Sequence, residues 1–481
     1  MKRSITKFLA SGMYVRSSIV PPAKPLATHS RPLKNKNIRM KPLLTIAVFT
    51  SLLASSCGEG NYKKLISDPI LYCKTVKKLN DIVLENNFPP MIASRNYAYA
   101  TIAAYECVVA GDSSYRTLSG QIKHMPKMPR PEAGKKIDYH LAALLAFTKV
   151  GNAVTFPEGS MMEHYKTLVS MADDAGMPSE MLDNSKAFAD TIFSTIMTWS
   201  KKDNYAQTRS ASKYTVTEEE GRWVPTPPTY TSGIEPHWME IRTMALDSGA
   251  ECRPVPPPLY TIKDTTSVYY RSLMEVKRTG ETLTDEQKHI ASFWDDNPFT
   301  MNVSGHVMFA TKKFSPGGHW MNIVGIAAEK AKTDFNTTVY AYAKTAIAIF
   351  DSFINCWEEK YRSNMVRPET VINKYFDPEW RPFLQTPPFP AYISGHSIIS
   401  AAAAEVMTDI YGDNFAYRDT SELEFGIEAR SFTSFHQAAW EASVSRMYGG
   451  IHYTFDLDEG NKEGKRIGKI VVERLKMKEE D

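Results

Sequence analysis

Small and apolar residues recur at helical spacing along most of the chain, and strand-like alternation is rare. From Ser94 to Gly111 the pattern predicts a helix, with Ser94 as N-cap and Gly111 as its stop. Segments 137–152, 160–175 and 179–201 read the same way, and together they give an N-terminal helical layer over residues 62–205. Between Trp223 and Tyr260 the periodicity stops. Pro225, Pro227, Pro228, Pro236, Pro254, Pro256, Pro257 and Pro258 exclude a continuous helix there. Trp223, Tyr230, Trp238 and Tyr260 are interspersed among them, and aromatic residues are depleted in disordered linkers. An ordered loop packed over the helices is therefore expected. Helical patterning resumes at 264–279 and 284–294, then at 320–332, 336–361, 395–411, 431–448 and 458–478. The expected fold is all-α: a large helical bundle, or two bundles packed together, with an N-terminal region 62–262 and a C-terminal region 263–478.

Residues 1–56 read as a targeting segment rather than as fold. Met40-Lys41 precedes the apolar run Leu43 to Leu53, and Ala54-Ser55-Ser56 leads to Cys57. A basic start, a short apolar core and small residues before a Cys make a bacterial lipoprotein signal over 40–56. Cys57 is then the lipidated N-terminus, and the protein is held at the cell envelope by its anchor. Ala54 stands where such signals usually carry Leu. A plain membrane helix and an ordinary secretory signal are the alternatives. No later stretch reaches the roughly 20 apolar residues of a spanning helix.

Removing that segment changes the charge. The whole chain carries +3, but residues 1–56 hold ten Lys or Arg and no Asp or Glu. The body has 47 basic and 54 acidic residues, a net of −7. Such a body does not suit a nucleic-acid partner, which would call for a basic surplus. Strong positive field must then come from a few focused side chains. Cys73, Cys107, Cys252 and Cys356 are scattered, without a CxxC, and read as free buried thiols.

Three blocks in the last quarter supply such a focus. Six residues separate Lys360 from Arg367-Pro368, and the proline drives Arg367 toward an extended shape. A Lys and an Arg are thus presented from a helix end and the loop after it, one as a point charge and one as a fork for an oxyanion. Pro390-Ala-Tyr-Ile-Ser394-Gly395-His396 leads straight into an Ala-rich helix. Ser394 is placed as N-cap, Gly395 allows close backbone approach, and the free N–H groups of a helix start receive anions. His396 falls in the first turn, within reach of the anion as an acid. The third block is Arg446, Gly449-Gly450, His452 and Asp456. The glycines turn the chain, and Asp456 is near enough to orient the imidazole and leave its other nitrogen as nucleophile or ligand. Each block alone is weak: Ser304-Gly305-His306 is a second Ser-Gly-His with no companions.

In this order and spacing, the blocks resemble the motif of the superfamily shared by vanadium-dependent haloperoxidases and type 2 phosphatidic acid phosphatases: Lys-x6-Arg-Pro, Pro-Ser-Gly-His, Ser-Arg-x5-His-x3-Asp. Ile393 replaces the Pro before Ser394. Phe88-Pro89-Pro90, Phe293-Trp294-Asp295-Asp296, Pro316-Gly317-Gly318-His319-Trp320 and Gly449-Gly450-Ile451-His452 extend the likeness to bacterial haloperoxidase-type members over residues 80–475. The resemblance implies that Lys360, Arg367 and Arg446, with backbone N–H groups at Ser394 and Gly395, neutralise bound vanadate or phosphate. It implies that His452 bonds to vanadium or attacks phosphorus, that Asp456 orients it, and that His396 serves as general acid or base.

Two enzyme classes share this site. A haloperoxidase keeps vanadate as cofactor and takes halide and peroxide. A phosphatase needs no cofactor and hydrolyses a phosphoester through a phosphohistidine. The full-length likeness tilts toward the first. A non-catalytic nutrient-binding lipoprotein is a third class, which has no reason to hold the triple motif. His319 and Trp320 stand outside the main set, as candidates for the site mouth or for packing. His140, His164, His289 and His436 sit in helical segments, where structural or solvated roles are commoner.

Overall fold

The computed structural model describes residues 61–155, 159–217, 219–298, 300–304, 307–310 and 312–479. The targeting segment 1–56 and Cys57 lie outside the described residues.

Helices dominate. The N-terminal layer holds α1 (Asn61–Ile66), α2 (Pro69–Glu85), α3 (Pro90–Gly111), α4 (Tyr139–Val154), α5 (Ser160–Asp174), α6 (Ser179–Ser200) and the single turn α7 (Tyr205–Thr208). After the proline-rich loop come α8 (Val268–Glu281), α9 (Asp285–Phe293), α10 (Pro316–Ala331) and α11 (Phe335–Ser363). The last four are α12 (Pro368–Tyr375), α13 (Gly395–Tyr411), α14 (Phe435–Tyr448) and α15 (Thr454–Arg474). Two antiparallel hairpins interrupt them: β1 (Met301–Ser304) with β2 (Val307–Ala310), and β3 (Tyr417–Asp419) with β4 (Arg430–Phe432). In the second, Tyr417 pairs with Phe432 and Asp419 with Arg430.

Several element starts differ from the sequence reading, each for a local reason. α3 begins at Pro90, not at Ser94. Proline is well placed at the first position of a helix, so Ser94 is carried inside the helix, where its hydroxyl donates to Met91 O. α10 begins at Pro316, because Ser315 caps it by accepting from Gly318 N. His319 is therefore in a helical first turn and not in a loop. Residues 430–432 form β4 rather than the start of α14, and α12 follows Pro368 directly.

One long helix organises the rest. α11 is buried along most of its length and packs on α3 from one region and on α13 from the other. Helices of both regions thus contribute to one hydrophobic core running from Tyr62 to Met477. The proline-rich loop is packed through Trp223 and Trp238, which are fully buried, whereas Tyr230 is 64% exposed. Asp351 on α11 receives Met244, Ala245 and Leu246 N–H at 2.7, 2.7 and 2.9 Å and ties the loop down. Cys73, Cys107, Cys252 and Cys356 are free thiols.

The closest packing lies beside the candidate site. Gly460, Gly464 and Gly468 fall on one stripe of α15 and let it press against α13. A Cβ on Gly460 would stand 2.8 Å from Ser397 Cβ and 3.0 Å from Ser394 O. No described helix is long and apolar enough to cross a membrane.

Candidate active site

α11 ends where Asn364 turns left-handed (φ 49°), and the chain runs extended to Arg367 (φ −79°, ψ 150°), as Pro368 demands. The proline-rich loop holds this segment: Trp223 N donates to Asn364 O and Val366 N to Gly221 O, both at 2.9 Å. Arg367 is fully buried. Its Nε donates to Phe389 O (2.9 Å), and Nη1 donates to Ile451 O (2.7 Å) and to His452 Nε2 (3.0 Å). Nη2 has no hydrogen-bond partner.

Lys360, in the last turn of α11, is equally buried. Its ammonium donates to Pro390 O, Ala391 O and Ile393 O at 2.9, 3.0 and 2.7 Å. An ammonium has three N–H groups, so all are engaged with the loop that leads to Ser394. In this arrangement Lys360 contributes positive field and fixes that loop.

Ser394 caps α13, its Oγ accepting from Ser397 N at 3.3 Å. The expected use of its own N–H for an anion does not hold. That N–H donates to Asp456 O at 3.1 Å, because the tight α13–α15 packing brings the start of α15 against it. The first-turn N–H groups of Gly395 and His396 have no carbonyl within their own helix to receive them. His396 Nε2 is buried without a hydrogen-bond partner, 3.7 Å from Asp296 Oδ2.

Arg446 sits in the last turn of α14, 1% exposed. It donates to Ser445 Oγ (2.9 Å), to Asp295 O (3.2 Å) and to Trp294 O. Gly450, at φ +75°, reverses the chain and delivers His452. Nδ1 of His452 lies 2.8 Å from Asp456 Oδ2, which also accepts from Tyr453 N at 3.2 Å. A guanidinium only donates, so Nε2 of His452 must be the acceptor and Nδ1 carries the proton.

The electrostatics describe a site short of negative charge. Burial lowers the pKa of Lys360, with Arg367 adding to the effect. Burial brings Arg367 and Arg446 down to about 10. Burial, then Arg367, Lys360 and Arg446, hold His452 well below its ordinary value, and burial and Arg446 do the same to His396. Burial raises the Asp456 carboxyl, opposed by Lys360 and Arg367. A bound anion would relieve this concentration of cations. Between these groups is a cavity of about 40 Å³, lined by Gly395, His396, Arg446 and His452 and walled by Trp357 and Phe389. That is room for roughly three water-sized groups, the scale of a small oxyanion. The spare donor on Arg367, the free N–H groups and the Nε2 acceptor of His452 suit a tetrahedral oxyanion bonded to one imidazole.

The structure thus places Gly395, His396, Arg446 and His452 on the cavity wall, while Arg367 and Asp456 are bonded to His452, Lys360 to the loop before Ser394, and Ser394 caps α13, none of these four lining the cavity. It adds residues that motif reasoning left aside. Asp296, from Phe293-Trp294-Asp295-Asp296, faces both His396 and the fully buried His319. The only sequence signal for them was the wider likeness, because neither lies in a spaced motif.

Comparison with known proteins agrees with this geometry. A family described as the VCPO second helical-bundle domain matches residues 340–480. The solved structure described as the first bacterial vanadium-dependent iodoperoxidase is 43% identical, covers 85% of this chain and 97% of its own, and has a TM-score of 0.81. A bacterial vanadium-dependent chloroperoxidase in its holo form is 16% identical, with a TM-score of 0.61 over 80% of this chain and 92% of its own. Its apo form, also 16% identical, gives 0.62 over 81% and 94%. At that identity the likeness shows the fold alone. No curated protein matches.

Proposed function

The chain belongs to the vanadium-dependent haloperoxidase superfamily, and we propose that it uses bound vanadate and hydrogen peroxide to oxidise iodide. The observation that carries this reading is the buried set of Arg367, Arg446 and Lys360 around the unprotonated Nε2 of His452, with Nη2 of Arg367 left over as a donor.

Vanadate held there would supply a Lewis acid that activates hydrogen peroxide for two-electron oxidation of a halide. Peroxide, iodide and one proton then give hypoiodous acid and water. His452 Nε2 would ligate the vanadium. Asp456 keeps the proton on Nδ1 and so keeps Nε2 available. Arg367 Nη2, Arg446, the Ser394 hydroxyl and the N–H groups of Gly395 and His396 would hold the oxyanion. Lys360 fixes the Pro390–Ile393 carbonyls and adds its charge. His396, kept neutral by burial and by Arg446, would take a proton from peroxide and return it.

Iodide is the proposed halide because the 43% identical relative is described as an iodoperoxidase. The small cavity walled by Trp357 and Phe389 suits peroxide and halide better than a bulky phosphoester. In the same reading, lipid on Cys57 holds the enzyme at the cell envelope. Palmitate labelling that persists in Cys57→Ala would rule that anchor out.

The test uses residues 58–481 stripped of anions, with and without orthovanadate. Triiodide formation from iodide and peroxide is followed beside hydrolysis of p-nitrophenyl phosphate, with His452→Ala as control. Iodide oxidation that needs both vanadate and His452 is the expected outcome. Hydrolysis that vanadate inhibits would make the protein a phosphatase, and activity indifferent to His452 would sink both readings.

A further inference from the structure

Beside the oxyanion pocket lies a second cluster that the proposed reaction does not use. His319 is fully buried, with a carboxylate on each ring nitrogen: Asp296 Oδ1 at 3.0 Å from Nδ1 and Asp419 Oδ2 at 3.0 Å from Nε2. Glu422 Oε1 stands 3.8 Å from the same Nδ1. Glu422 is 1% exposed, and neither of its carboxylate oxygens has a hydrogen-bond partner. Oδ2 of Asp296 is also without one. Among the described residues, the ion pairs of Asp296, Asp419 and Glu422 are with histidines alone.

Three buried carboxylates face one imidazole, and three of their six oxygens have no hydrogen-bond partner. Buried charges are ordinarily paired or bound to metal. A buried carboxylate without a partner is unfavourable because it has given up its hydration with nothing in return. Geometry supplies a second argument. A metal-ligating histidine typically has one nitrogen fixed by a carboxylate and presents the other to the ion. Asp419 on Nε2 fills the first role, and Nδ1 faces the two remaining carboxylates. Donors about 2.1 Å from a common ion stand roughly 3 to 4 Å apart. Nδ1, an Asp296 oxygen and a Glu422 oxygen lie within 4.8 Å of one another, so a small movement closes them on an ion.

The ligands are also held in place. Trp294 stacks on the His319 ring, with centroids 4.5 Å apart. Asp296 adopts φ +40°, a left-handed conformation that a non-glycine residue takes only when its surroundings fix it.

We propose that Asp296, His319 and Glu422 bind a divalent first-row cation of the zinc or manganese class, with Asp419 orienting His319. One nitrogen and two carboxylate oxygens suit that class better than copper(I) or an iron–sulfur cluster, which favour sulfur. Because the second oxygen of Asp296 faces His396 Nε2 at 3.7 Å, the ion would also fix the carboxylate beside that histidine. This inference does not depend on vanadate or on halide oxidation.

The experiment uses the full chain, purified without chelator and without vanadate. Elemental analysis should find about one equivalent of zinc or manganese per chain. After chelation, the melting temperature should fall and should return on adding Zn²⁺. Co²⁺ added to the stripped protein should give visible ligand-field absorption that saturates at one equivalent. Glu422→Gln should lose the metal and the Co²⁺ signal. Full metal retention by Glu422→Gln would overturn the proposal. So would wild-type protein that carries no divalent metal and shows neither a Zn²⁺ shift nor a Co²⁺ signal, whether or not the variant folds.

Discussion

Nη1 of Arg367 stands 3.0 Å from Nε2 of His452, so the cation that would hold the oxyanion also reports that this nitrogen is unprotonated. The same guanidinium reaches Phe389 O and Ile451 O and still has Nη2 to offer. A Lys at this position keeps the charge but cannot span those partners with a planar fork. Arg367→Lys should therefore weaken vanadate binding by about 10- to 100-fold, the worth of one charge-assisted hydrogen bond. Titration followed by ⁵¹V NMR measures it, and unchanged affinity would show that Nη2 does not touch the anion.

Asp456 acts through His452. Asn in its place can still accept from Tyr453 N but no longer holds a proton on Nδ1 with a full charge. Asp456→Asn should cost about 10- to 100-fold in vanadate affinity, the usual loss when such an orienting partner is removed. The melting temperature should change little. A variant that binds vanadate as well as wild type would take Asp456 out of this role.

Gly460 and Gly464 separate stability from function. A Cβ on Gly464 would collide with Ile398 O, one turn along α13 from the cap. Gly464→Ala should destabilise the fold by about 1 to 3 kcal/mol, as overpacking does. A Cβ on Gly460 presses on Ser397 and on Ser394 O instead. Gly460→Ala should then lose vanadate affinity as well as stability. Chemical denaturation and vanadate titration of both variants test the distinction, and equal affinity losses would refute it.

Glu106, buried in α3, gives a pH dependence far from the site. Burial pushes its carboxyl up to about 7, against hydrogen bonds from Thr117 Oγ1 (2.7 Å) and Leu118 N (2.8 Å). The folded state therefore keeps a proton that the unfolded chain releases near pH 4.5. The protonated carboxyl favours the fold at acid pH, and this advantage is lost as pH rises from about 4.5 through about 7. The gap corresponds to about 3 kcal/mol. Glu106→Gln should match wild type at pH 5 and exceed it by up to about 3 kcal/mol at pH 8. Denaturation curves at the two pH values decide it, and a difference that does not change with pH counts against a protonated Glu106.

Much of this was legible in the chain because the rules involved act over a few residues. Periodicity marked the helices, Pro368 set Arg367 extended, Ser394 capped α13, and Asp456 fell four residues from His452 on the start of a helix. The same local rules misplaced the starts of α3 and α10, where a proline at the first helical position outweighed a serine or a run of glycines further on. The spaced motif named the family, since spacing along a chain survives in sequence. What the sequence could not reveal was which distant carbonyls and carboxylates would meet these side chains. Lys360 gives all its protons to carbonyls some thirty residues away. Arg446 is held by backbone oxygens about 150 residues earlier. His319 is fixed between Asp296 and Asp419, 23 and 100 residues from it. Those partners are set by how α10, α11, α13 and α15 pack. A backbone carbonyl has the same chemistry at every residue, so only the tertiary structure decides which ones point into the site.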